Sequence, residues 1–179
     1  IHPPTAVETV GELKKNDLVA TDQPHSHHHL ITKSLKSNGD TISSRIPLFF
    51  NSDVVISKAH VTDSMGSLYR NGNADEILFI HTGRGQFKSN FGMMDLIPGD
   101  YVIIPRGVIW QIEASNDMRM LVIESATPIE TPIRYRNEFG QLVEHSPFSE
   151  RNIRTPEFVE PVHYQSIEIQ VQLRNESQT

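Results

Sequence analysis

Between Ile46 and Ser125 short apolar runs rich in Val, Ile, Phe and Tyr alternate with clusters of Gly, Pro, Asn and Asp. That rhythm constrains the fold more than any other feature, because runs of four to eight such residues between turn formers are strand signals. The runs predict strands over Val54–Val61, Ser67–Arg70, Glu76–His81, Gly85–Phe91, Met94–Ile97, Tyr101–Pro105, Val108–Ala114 and Met118–Ser125. So many short strands in roughly eighty positions leave no room for crossover helices, and the expected class is all-β, a sandwich or closed barrel.

The flanks read differently. Val7–Leu18 has Gly11 at its centre and an uneven apolar pattern, so helix propensity gives it little support. Residues 21–38 are polar and carry His25, His27, His28 and His29. Residues 126–161 contain Pro128, Pro132, Pro147, Pro156 and Pro161. Prolines remove amide donors, so this segment is expected to wrap the barrel as an extended arm and not to enter a sheet. Alternation over Ile167–Leu173 predicts one more half-buried strand. The expected organisation is an amino-terminal arm and loop over 1–45, a barrel core over 46–126, and a proline-containing arm with a terminal strand over 127–179, all of one domain.

Charge and composition exclude some functions. The chain of 179 residues carries a formal charge of -6, and its basic residues are dispersed apart from Lys14–Lys15, so it lacks the cationic stripe that neutralises phosphates in nucleic-acid binders. No apolar run approaches the roughly 20 residues of a membrane span. The absence of cysteine removes disulfides, thiolate metal sites and a thiol nucleophile, and a cytoplasmic location is expected.

Two motifs lie within Tyr69–Trp110. Glu76 is followed after six residues by Gly83, and Gly99, Pro105, Gly107 and Trp110 follow the spacing Gly, five residues, Pro, one residue, Gly, two residues, final position. This pair resembles the two motifs of a cupin barrel, an antiparallel, jelly-roll-like fold, with the glycines and proline marking tight turns. In metal-binding cupins, the resemblance implies, two histidines precede the Glu and a third ends the second motif. Here those positions hold Tyr69 and Asn71, or Arg70 and Gly72 on the shorter spacing, and Trp110. A lone carboxylate at Glu76 is too few ligands for a first-row transition metal.

Further segments resemble the homogentisate 1,2-dioxygenase family over nearly the whole chain. They are His2-Pro3-Pro4-Thr5, Asp22-Gln23-Pro24, Phe50-Asn51 with Asp53, Tyr69-Arg70-Asn71 leading to Ala74-Asp75-Glu76, Asn90-Phe91-Gly92, the run from Gly99 to Gly107, and the run from Glu144 to Arg151. The resemblance implies an oligomeric enzyme of two cupin-like halves that opens the ring of homogentisate with O2 to give maleylacetoacetate, using Fe(II) held by the carboxy-terminal half. This chain corresponds to the amino-terminal half, truncated at both ends, and none of the family's iron ligands carries over to a residue here. No catalytic, cofactor-binding or metal residue is therefore assigned, and the segment by itself is expected to be inactive and to bind no Fe(II). The expected partners are the carboxy-terminal half, a small aromatic substrate in the intact enzyme, and further copies of the chain.

Several residues invite sharper readings. The cluster from His25 to His29 has the ligands for zinc, nickel or copper, but a loop fixes no geometry, and a surface role is the expectation. His81, at a strand end, reads as a general base facing the cavity or, more commonly, as a hydrogen-bonded terminal residue. Asp75 and Glu76 do not form a carboxylate pair, because successive strand residues face opposite sides. Gly83-Arg84-Gly85 reads as a turn and not a phosphate loop. Trp110 is expected to fill the barrel interior where a metal would sit. His145-Ser146-Pro147-Phe148-Ser149-Glu150 reads equally as an arm gripping a neighbour or as a surface loop. Against the dioxygenase reading stands a self-contained, metal-free cupin that serves binding or assembly; a related gentisate or salicylate enzyme fits the matched motifs less well.

Overall fold

The computed structural model describes residues 9–11, 26–27, 29–115, 117–147, 150–160, 168–172 and 177–178. Its strands are β1 (Thr9–Gly11), β2 (Ile46–Phe50), β3 (Val54–Val61), β4 (Leu68–Asn71), β5 (Asp75–Thr82), β6 (Gly85–Ser89), β7 (Gly92–Leu96), β8 (Tyr101–Ile104), β9 (Ile109–Ala114), β10 (Met118–Ser125), β11 (Ile169–Gln172) and β12 (Ser177–Gln178). They form two sheets, ordered β1-β12-β11-β4-β9-β6-β7 and β2-β3-β10-β5-β8. The architecture is all-β, as the strand rhythm requires, and of the cupin type that the two motifs resemble.

Alternation builds the core. On β5, Glu76, Leu78 and Ile80 point inward and are fully buried, whereas Ile77, Phe79 and His81 lie on the outer face. Val61 from β3, Ile112 from β9 and Val122 from β10 are likewise fully buried and join one continuous apolar cluster. Each aliphatic side chain so buried stabilises the fold by roughly 1.5 to 3 kcal/mol before the entropy of ordering it is subtracted.

Two predicted strands, β3 and β10, have the bounds read from sequence, and the others shift by small amounts for local reasons. The strand read as Gly85–Phe91 stops at Ser89, because Asn90 and Phe91 form the two-residue turn that pairs Ser89 with Gly92. The one read as Met94–Ile97 consequently begins at Gly92 and ends at Leu96. Tyr101–Pro105 ends at Ile104, since Pro105 has no amide to donate and its carbonyl instead accepts from Val108 in the turn to β9. That turn delays the last-but-one predicted strand from Val108 to Ile109. Ser67–Arg70 is displaced to Leu68–Asn71, and Glu76–His81 is longer, Asp75–Thr82. Strand β2 was hidden in the sequence by Pro47, which is tolerated because β2 is an edge strand.

Within Val7–Leu18, where helix propensity gave little support, the described residues Thr9–Gly11 form a strand paired with β12; the remainder lies outside the described residues. Contrary to expectation, the barrel is not wholly antiparallel: β11, at Ile169–Gln172 within the predicted terminal strand, pairs parallel with β4. A distant stretch of chain thus returns to the sheet beside the motif strand.

The segment after β10 is extended in its described parts, as the prolines required, with short 3-10 turns at Ile133–Tyr135 and Glu150–Asn152. It covers the open edge of β7, where Met93 and Glu157 exchange backbone hydrogen bonds of 2.9 Å. Arg154 adds a 2.5 Å bond from Nη2 to Asp100 Oδ2. The edge and arm meet at Gly92, whose φ is +124° and where an added Cβ would stand 2.0 Å from the Glu157 carbonyl oxygen. Gly92→Ala is therefore expected to cost about 2 kcal/mol and to lift the arm. Limited proteolysis checks this: cleavage between residues 150 and 160 should accelerate while the barrel persists, and an unchanged digest would refute the contact.

Candidate functional site

The polar centre of the barrel is assembled from five elements. A tight turn places its cation. Asp40 Oδ1 accepts from the amides of Ile42 and Ser43 at 2.9 and 2.7 Å, and the Gly39 carbonyl accepts from Thr62 and Asp63 at the end of β3. The chain leaves that turn with Arg45 pointing inward. Its Nε donates to the Thr41 carbonyl at 3.0 Å and its Nη1 to Glu76 Oε1 at 2.6 Å. The same Nη1 lies 3.9 Å from Glu124 Oε1 of β10.

Glu124 is held by neutral donors as well. Asn71 Nδ2 and Gln172 Nε2 donate to its Oε1 at 3.0 and 2.9 Å, and Tyr69 OH donates to Gln172 Oε1 at 2.6 Å. The Arg45 guanidinium also sits 5.6 Å from the Tyr69 ring centroid. Trp110, fully buried, meets Tyr69 edge-on with ring centroids 5.3 Å apart and stacks on Phe87 at 5.8 Å.

Every position at which a metal-binding cupin carries a ligand is thus engaged in a contact of the fold. Tyr69 fastens β11 through Gln172. Asn71 holds Glu124 with its amide nitrogen, while its Oδ1 accepts from the amides of Asn73 and Ala74 at 2.9 and 3.0 Å. Glu76 faces a guanidinium, and Trp110 supplies an indole where the motif has imidazole. Among the described residues no group of three His, Asp or Glu side chains converges to hold a metal ion. The donor set does not fit ferrous iron, which needs imidazole and carboxylate groups converging on one point.

The electrostatics follow from burial with unequal charge. Desolvation works against a charged Arg45, but attraction to Glu76, Tyr69 and Glu124 outweighs it and holds the guanidinium above its ordinary range. Burial, reinforced by Glu76, pushes the Tyr69 phenol well above its usual value of 10.0, with Arg45 only partly opposing the shift. A raised folded-state value makes Tyr69's contribution to stability complete below about pH 10 and progressively lost as pH climbs above it, because the unfolded phenol ionises first. Alkaline denaturation of a Tyr69→Phe variant should consequently have a shallower pH dependence above pH 10 than that of the parent. Identical profiles would exclude Tyr69 as the titrating group.

Arg45 Nη2, Glu76 Oε2 and Trp110 Nε1 are buried without a hydrogen-bond partner among the described residues. Two donors and one acceptor in a polar interior are suited to ordered water.

The other residues singled out in the sequence lie elsewhere. His81 is exposed on the outer face, so it does not face the cavity. His27 and His29 are exposed, whereas His25 and His28 lie outside the described residues. Asp75 and Glu76 diverge as the strand geometry required, yet both are buried. Asp75 Oδ1 accepts from the Arg106 amide and Oδ2 from the Ile129 amide, each at 2.9 Å, binding the second-motif turn to the arm. Gly83-Arg84-Gly85 joins β5 to β6 as a turn. His145 is exposed, and Phe148 and Ser149 lie outside the described residues. Sequence reasoning missed Arg45, Glu124 and Gln172; the available signal was that one of Asp75 and Glu76 must face inward and there require a partner.

A family profile described as homogentisate 1,2-dioxygenase N-terminal matches residues 34–134. A curated protein of Saccharolobus solfataricus named "Putative dioxygenase SSO1533" is 38% identical over 158 residues, which are 87% of this chain and 41% of that protein. The chain therefore spans less than half the length of that relative. Among solved structures, a cupin protein from Bacteroides fragilis aligns with a TM-score of 0.47 at 17% identity, covering 62% of this chain and 92% of that one. A cupin-2 domain protein from Shewanella frigidimarina aligns with a TM-score of 0.42 at 20% identity, covering 46% and 79%. With more than half its length matched by the family profile, the chain belongs to the homogentisate 1,2-dioxygenase family, as a member of its amino-terminal domain.

Proposed function

We propose that this chain is the metal-free amino-terminal half of an iron-dependent dioxygenase that opens the ring of homogentisate with O2 to give maleylacetoacetate. The reading is supported by the family match together with one observation: the four positions that would ligate a metal in a cupin barrel are all engaged in holding this barrel together. The ferrous iron of the intact enzyme would be carried by polypeptide beyond this chain, consistent with coverage of 41% of the S. solfataricus relative. This half contributes structure, and its exposed apolar residues, among them Tyr101, Ile103 and Phe49, give it surface for the second half and for further copies.

The test loads the intact polypeptide and the present chain anaerobically with ferrous iron, removes loosely held metal with a mild chelator, and follows O2 uptake on homogentisate. Retained iron and uptake by the intact polypeptide, with neither in the chain alone, is the expected result. Stoichiometric iron retained by the chain alone would overturn the assignment, and an intact polypeptide inert toward homogentisate would overturn the substrate.

A further inference from the structure

A concavity of about 720 Å³ lies outside the barrel between the outer face of the five-stranded sheet and the segment around the 3-10 turn Thr32–Ser34. Its lining includes Lys33, Lys36, Lys58, Arg119, His60 and His81, and no carboxylate. On a chain with a net charge of -6, such a concentration of one sign is a local exception. The apolar part of the wall comes from Phe79, Leu48 and Leu121, and the Phe79 ring rests on Tyr101 with centroids 4.7 Å apart.

Cross-strand register sets two of the basic side chains side by side. Arg119 stands directly opposite His60, a pairing of two basic side chains that is unfavourable whenever the imidazole is protonated. Lys58, opposite Leu121, fastens the wall by donating to the carbonyl oxygens of Thr32, at 2.7 Å, and Leu35, which engages two of its three N–H donors without neutralising its charge. One acidic group approaches from the rim: the exposed Asp117, whose Oδ2 is 3.4 Å from His60 Nε2. Lys33, Lys36 and Arg119 have no carboxylate partner among the described residues.

We infer that this pocket binds a small amphiphilic organic anion, a carboxylate, sulfonate or phosphate carried on an apolar or aromatic body. The anionic group would lie among Lys33, Lys36 and Arg119, relieving their mutual repulsion, and the body against Phe79 and Leu121. The volume is that of a small-molecule site, and apolar walls with a few convergent charged groups are the usual composition of one. The site is independent of the barrel interior and of the ring-cleaving reading.

The probe is 8-anilinonaphthalene-1-sulfonate, whose fluorescence reports transfer to an apolar site, titrated into the protein at low ionic strength. Phenylacetate, phenylacetamide and inorganic phosphate serve as competitors. The expected result is saturable binding displaced by phenylacetate, more weakly by phosphate and least by the neutral amide. The triple variant Lys33→Glu/Lys36→Glu/Arg119→Glu should lose affinity about ten-fold or more, with an unchanged circular dichroism spectrum. The reversal Arg134→Glu, outside the pocket lining, should leave binding as it was. Equal competition by the amide, equal competition by phosphate, or undiminished affinity in the folded triple variant would each overturn the inference.

Discussion

Arg45→Met is expected to destabilise the protein by about 3 to 5 kcal/mol, because it leaves the Glu76 carboxylate buried without its counter-charge. Glu76 is fully buried and the Arg45 side chain is 9% exposed, so solvent cannot replace the lost partner. The loss is specific to breaking the pair. Substituting both residues by methionine removes the buried charges together, and volume-matched apolar replacements of ion pairs are often neutral or stabilising. The double variant should accordingly be more stable than Arg45→Met alone, although Glu124 then loses its nearest cation and full recovery is not expected. Urea midpoints of the parent, the two single variants and the double variant provide the measurement. Strictly additive losses would mean that Arg45 and Glu76 act independently, contrary to their 2.6 Å contact.

Trp110→Ala is expected to cost about 3 to 5 kcal/mol, the range for deleting a large aromatic from a core that cannot collapse around the gap. The indole contacts Tyr69 on one side and Phe87 on another, and both rings are themselves buried. Trp110→Phe discriminates the cause. Because Trp110 Nε1 has no hydrogen-bond partner among the described residues, phenylalanine sacrifices volume and no protein hydrogen bond, and roughly 1 to 2 kcal/mol is expected. A Phe variant as unstable as the Ala variant would show that the indole N–H, and not the ring, carries the contribution. Restoring the motif imidazole with Trp110→His should confer no retention of ferrous iron, because Glu76 remains bound to Arg45 and Tyr69 and Asn71 offer no imidazole.

The strand pattern was legible because each strand is a local statement: alternating apolar residues bounded by turn formers specify which residues face inward whatever the partners are. The same locality gave the divergence of Asp75 from Glu76 but not which of the two faces inward, and the burial of Trp110 was expected from its place in the second motif. Strand ends were less legible. Gly85–Phe91 overran its turn because the strong strand former Phe91 follows the turn former Asn90 and masks it, whereas the break is set by pairing of Ser89 with Gly92. His81 was ambiguous for a related reason, since alternation fixes a face only once the neighbouring strand's register is known.

Residue type and near-neighbour spacing suffice for the all-β barrel, the turns that close it, and the lack of imidazole at the positions where cupins bind metal. What fills the barrel centre instead depends on contacts made in three dimensions. Arg45 and Glu76 are 31 positions apart, Asn71 and Glu124 are 53 apart, and Tyr69 and Gln172 are 103 apart, so no local pattern announces that they meet. The outer basic pocket arose the same way, from strands and a loop dispersed along the chain. Their association reflects the cost of burying a carboxylate or amide unpaired, a penalty that arises only once the barrel excludes water and that selects among long-range partners which the chain itself does not order.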